Sequence, residues 1–176
     1  MLIEIDKLKA LYPQFAEIND DLLTLKLESI ESTIRAYTHN TFQNRAVRAI
    51  CMAKGNELTF YKGNRLFKEG DTLSITSELN GGLYVIKSVD NNVLTVDKTL
   101  YEACELVTLV KYPNDVITGA VNVLSWDCFD RENTGVASES ISRHSITYVT
   151  YDGTNTINGY PSMLFGFCNP YIQMRT

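Results

Sequence analysis

The chain has 176 residues, 44 % of them hydrophobic and 21 % charged, with a formal net charge of -5. That composition is ordinary for a folded globular protein and excludes general disorder. The acidic balance argues against a general duplex binder, and no run approaches the roughly 20 apolar residues of a membrane span.

The first residues, "MLIEIDKLKA", lack the basic-then-apolar layout of a secretory signal, so the expected compartment is a cytoplasm. Cys51, Cys104, Cys128 and Cys168 match no zinc or redox spacing. They are expected to be reduced, mostly buried thiols.

Residues 1–45 read as helical. Ile5, Leu8 and Leu11 recur at helical spacing until Pro13 stops the first helix. Asn19, Asp20 or Asp21 can cap a second helix, whose apolar stripe is Leu23, Leu27, Ile30, Ile34 and Tyr37. His39-Asn40 is the predicted stop.

Residues 46–111 change character. Six short segments rich in β-branched and aromatic residues are divided by turns such as "KGN", "EGD", "NGG" and "DNN". They predict a small closed or nearly closed antiparallel barrel. The stretch is basic from Arg45 to Lys68 and acidic from Asp71 to Glu105.

Residues 112–176 turn helical again. Pro113 suits a first helical turn, and Ile117, Ala120 or Val121, Leu124 and Cys128 form a stripe widened by Trp126 and Phe129. Pro161 can start a short helix over Met163 to Phe167, which Pro170 ends. The simplest account is α+β: a small helical bundle over 1–45 and 112–176, with an antiparallel β-barrel inserted over 46–111.

Little in the chain carries catalytic chemistry. Ser140 or Ser142 with His144 raises a hydrolase alternative, but no orienting third group or nucleophile elbow accompanies them. Sequence neighbours on a strand also point to opposite faces. Asp127 and Asp130, three apart, could share a metal, though a hydrated helix end is the commoner reason for such a pair. No phosphate-cradling loop and no Cys/His cluster is present, so neither a cofactor nor a metal is expected.

Tyr148, Tyr151, Tyr160 and Tyr171 crowd the last third, a pattern that suits interfaces or a capped bundle. The terminal "YIQMRT" places Tyr171, Ile172, Met174 and Arg175 on a tail expected to be loose until a partner orders it.

Two stretches resemble the head–tail connector (adaptor, or head-completion) proteins of long-tailed bacteriophages. The first is "KLKALYPQFAEINDDLLTLKLESIESTIRAYTHNTF". The second is "YPNDVITGAVNVLSWDCFDRENTGVASESISRHSITY", with its Ser-Glu-Ser element after the third helix. The middle stretch "GDTLSITSELNGGLYVIKSVDNNVLTVDKTL" looks like the Src-homology-3-type barrels that decorate phage tail and neck proteins.

The resemblance implies a non-enzymatic virion protein, assembled in the host bacterial cytoplasm. It would form a ring of about twelve copies under the portal protein, receive the next head-completion (stopper) or tail protein, and let DNA pass unread. It also implies partner contacts at Ser138, Glu139, Ser140 and Ile141. With Tyr148 and the tail residues Tyr171, Ile172, Met174 and Arg175, these are the candidate site residues. The alternative is another neck or tail component, or a ligand-binding module that uses the β-barrel.

Overall fold

The structure, a computed structural model, describes residues 2–61, 66–131, 138–141, 144–147 and 156–174, with the backbone alone over 138–141 and 144–147. The fold is mixed α+β. The chain divides into two compact units, Met1–Asn40 with Pro113–Thr176, and Thr41–Tyr112.

In the first unit, helix α1 (Ile5–Leu11) buries Leu8 and gives way to a 3-10 turn at Pro13–Phe15. Proline heads that turn because the missing N–H is not needed there. Lys9 stitches the connection together. Its Nζ donates to the carbonyls of Ala16 (3.1 Å) and Ile18 (2.7 Å) and pairs with Asp20 at 2.6 Å.

Helix α2 (Asp20–Thr38) starts where the Asn19 carboxamide accepts the N–H groups of Asp21 and Leu22. Asp20 and Asp21 add negative charge to the positive helix end. Leu23, Leu27, Ile30 and Ile34 are fully buried, each worth about 1.5–3 kcal/mol against exposure. Tyr37 is only half-buried. The helix stops at His39, which takes the left-handed conformation at φ 51°.

Helix α3 (Asn114–Ser125) follows Pro113 as its cap residue. Its buried face is Val116, Ala120, Val123 and Leu124, joined by Gly119 and Val121. Ile117 and Cys128, expected in the stripe, are only half-buried. Trp126–Asp130 continues as a π turn, and the extra residue per turn shifts the phase so that Asp127 faces inward.

A run of 3-10 turns, Ser162–Tyr171, packs on α3. Pro170 lies inside this run and does not end it. Gly119 is what lets Phe167 approach: a Cβ there would overlap the Phe167 ring.

The second unit is one antiparallel sheet: β1 (Gln43–Phe60), β2 (Thr72–Ile75), β3 (Gly82–Asp90) and β4 (Val93–Val110), in the order β1-β4-β2-β3. β3 pairs with β2 through residues 82–85 and returns to β4 through residues 86–90. Among the described residues β1 pairs only with β4, so the sheet is not closed into a barrel. The expected barrel is corrected on this point.

Six expected segments are four strands because two dividers do not break the ladder. "KGN" is a bulge, with Gly55 at φ 62° and the register shifting on both sides of it. "DKTLYEAC" runs on as strand within β4. The core is lined by Cys51, Leu58, Leu73, Ile86, Leu94 and Val107. The unit's limits lie outside the composition change at 46 and 111, because pairing starts at Gln43 opposite Val110.

Gly119→Ala is expected to destabilise the protein by about 1–3 kcal/mol through overpacking, despite alanine's better helix propensity of about 1 kcal/mol. Phe167→Leu in the same chain should recover part of the loss. Chemical denaturation of the two variants checks both signs.

Candidate assembly surfaces

The resemblance places partner contacts on Ser138–Ile141, which the chain expresses as strand β5. It pairs antiparallel with β6 (His144–Thr147). The Ser-Glu-Ser element therefore sits on a hairpin. The register sets Ile141 against His144 and Ser140 against Ser145. Ser140 and His144 thus occupy register positions of opposite parity. Ser142, Tyr148, Tyr151 and Arg175 lie outside the described residues.

The C-terminal candidates differ from a loose tail as far as residue 173. The Tyr171 hydroxyl donates to Asp115, with oxygens at 2.9 and 2.8 Å. The Tyr171 carbonyl accepts from Asn40 Nδ2 at 3.1 Å, and the Gln173 N–H donates to the Thr38 carbonyl at 2.8 Å. The Gln173 bond takes up the Thr38 carbonyl at the end of α2, which a helix end otherwise leaves to water. Ile172 is half exposed and Met174 is 92 % exposed, so the apolar part of the tail that faces solvent is confined to these two.

Tyr160 belongs to the interior. It sits in β8 (Tyr160–Pro161), paired with β7 (Thr156–Ile157) across an Asn158-Gly159 turn, both of whose residues have positive φ. Its ring lies 6.1 Å from Phe165 and 6.3 Å from Trp126, with the Arg131 guanidinium 6.0 Å from its centroid.

Arg131 also reaches Asp127, the residue sequence reasoning placed on a hydrated helix end. The Asp127 carboxylate is 2 % exposed and accepts from Lys26 of α2 on one oxygen and from Arg131 on the other. Asp130 is exposed. The two carboxylates diverge, and no group of three or more potential metal ligands occurs among the described residues. The signal that could have found this cluster was the i,i+4 spacing of Asp127 and Arg131; the partner on α2 had none.

A second polar cluster lies inside the sheet unit. Buried Glu105 accepts from Ser77 Oγ at 2.8 Å and from Asn80 Nδ2 at 2.7 Å. Asn80 in turn donates Nδ2 to the Tyr101 carbonyl, accepts the Tyr101 N–H, and its own carbonyl takes the Tyr84 hydroxyl. This braces the β2–β3 turn against β4.

The four cysteines are free thiols. Burial, then the Glu105 charge, pushes Cys51 up to about 12; burial, then Asp115, pushes Cys168 up to about 11. Both stay protonated at neutral pH and are poor nucleophiles. Cys104 is exposed, contrary to the expectation of mostly buried thiols.

No protein-family model matches the chain, and no curated protein matches it in sequence.

Asp127→Ala is expected to cost about 2–3 kcal/mol, below the 3–5 kcal/mol of a fully buried pair because Lys26 and Arg131 can still reach water. Urea unfolding at neutral pH measures it; Asp130→Ala serves as the near-neutral comparison.

The Asp115 hydrogen bond, then burial and the Asp115 charge, raises the Tyr171 hydroxyl above its ordinary 10.0. A group that holds its proton more tightly when folded stabilises the fold below the unfolded pKa. That contribution disappears as pH rises through the folded value. Tyr171→Phe should therefore lower the melting temperature at pH 8, with the difference from wild type shrinking as pH rises through the folded value, as thermal melts across the alkaline range will register.

Proposed function

We propose that the protein is a non-enzymatic head–tail connector of a long-tailed bacteriophage, forming a ring under the portal and continuing the DNA channel to the next head-completion protein. One observation carries the reading. The two stretches that resemble connectors, about residues 5–42 and 112–170, fall almost entirely in one compact unit built from both parts of the chain. The segment between them, which looks like a Src-homology-3-type barrel instead, forms a unit of its own.

Further support comes from what surrounds the candidate contacts. The Ser-Glu-Ser element follows α3 on a hairpin of its own. The overall charge of -5 suits a channel wall that DNA slides past, since many lysine or arginine contacts to phosphate would brake it. We read the sheet unit as a Src-homology-3-type module with one side left open, a decoration whose partner is another neck or tail protein.

Negative-stain electron microscopy of the purified protein, alone and with portal-bearing capsids, tests the assignment. Rings with a central hole, docked at the portal vertex, are the expected outcome. A protein that stays monomeric and ignores those capsids would overturn it.

A further inference from the structure

The sheet unit treats its two outer edges differently. At β3, Val85 donates its N–H to Asp97 Oδ1 at 2.8 Å, and the Leu83 carbonyl accepts from Lys98 Nζ at 3.1 Å. Side chains of β4 thus occupy the backbone groups that β3 would offer to another strand. Natural sheets guard edges in this way.

β1 has no such guard. The Lys111 N–H donates to the Phe42 carbonyl, and from there bonding alternates along β4 toward Leu109, Val107, Glu105 and Ala103. Their partners Ala49, Cys51 and Ala53 therefore face β4, and Arg48, Ile50 and Met52 turn their N–H and C=O groups the other way. Among the described residues nothing accepts from or donates to those groups. The adjoining surface is apolar: Ile50 (61 % exposed) stands opposite Leu106 (42 %), and Met52 opposite the exposed Cys104. Exposed Arg45 and Arg48 make this end of the edge basic.

The hairpin β5–β6 shows the opposite deficit. It is a two-stranded sheet that pairs with no third strand among the described residues, and such a hairpin is marginally stable in water by itself. Its strand β5 carries an acid, Glu139, and no basic residue.

We propose that the open edge of β1, at Arg48, Ile50 and Met52, receives strand β5 from a second copy of this chain. The inference rests on the connector reading for the identity of the partner as another copy. A basic edge takes a strand bearing an acid, and backbone hydrogen bonds supply the affinity. Acceptor and donor are different surfaces, so the contact is head-to-tail, the kind that closes into rings.

Two proline substitutions test both halves. Ile50→Pro removes an N–H that faces the open edge and leaves the β4 ladder its bonds; proline is tolerated at such edge positions. Ser140→Pro does the same on the donor side: Ile141 and His144, partners three apart in sequence, form the bonded kind of pair, and the alternation turns the Ser140 N–H outward. Sedimentation velocity of the full chain should show concentration-dependent assembly for wild type and at least tenfold weaker assembly for each variant, with unchanged melting.

Hydrogen exchange on the wild type gives a second reading that needs no variant. The amides of Arg48, Ile50 and Met52 should gain at least tenfold protection on assembly. Wild-type rings together with a folded Ile50→Pro that still assembles would overturn the proposal and leave the connector reading standing. Loss of assembly in Ile50→Pro alone, with Ser140→Pro unaffected, would overturn β5 as the donor. If Ile50→Pro unfolds, exchange decides, and unprotected edge amides in the assembled wild type overturn it. A wild type that stays monomeric at every concentration removes the proposal, and its failure to dock on capsids would remove the connector reading separately.

Discussion

Phe42 and Tyr112 bracket the sheet unit, and their rings lie 4.7 Å apart. Beside them the Lys111 N–H donates to the Phe42 carbonyl, and Gln43 stands opposite Val110. The sheet is thereby zipped shut at the point where the chain enters and leaves it. This is the constraint on which a helical unit made of two distant segments depends. An open loop of this length would add a closure cost that grows only slowly with length but must be met before α2 can find α3. A ladder that starts at the loop's own base meets it from within the inserted unit. Phe42 sits at φ 51°, an unfavourable conformation for a residue with a side chain, which the paired surroundings hold in place.

Within the helical unit, the buried Asp127 carboxylate ties the π turn after α3 to Lys26 on α2. Side-chain packing between the two helices restricts them to a few arrangements. A charge that must meet one lysine and one arginine has a single satisfactory position. The same turn carries Phe129, whose ring lies 5.6 Å from fully buried Phe15 of the "YPQF" stretch, so the three pieces of the unit converge there. Gln14 adds a bond to Ser125 at 3.2 Å.

Local chemistry was legible wherever it decided the outcome locally. The α2 stripe from Leu23 to Ile34, the Asn19 cap and the Pro13 stop are all settled within a few residues of themselves. Two features were hidden for a shared reason. A glycine-containing "KGN" fits a turn and a bulge equally well, and only the partner strand β4 selects the bulge. Asp127 reads as a solvated acid until Lys26, a hundred residues away in sequence, comes beside it. The helix stop falls at the expected His39-Asn40 pair, with His39 rather than Asn40 taking the left-handed conformation. The hairpin at Asn158-Gly159 had its turn signal in plain view, but its flanking strands are only two residues long. Of the candidate site residues, Tyr171 could be recognised as a contact residue by type, whereas its partner Asp115 could not.

The register of β1 and β4 has a mechanical consequence. Both ends of the chain belong to the helical unit, so tension applied between them is borne first by α2, α3 and their packing. The sheet lies off that load path. Were the helices to part, the pull would arrive at Gln43 and Val110, the end of an antiparallel ladder, where the strands peel apart one bond at a time. Unzipping of that kind resists little force and spreads extension over many small steps. The inserted unit would then behave as a slack reserve of chain, released gradually under load.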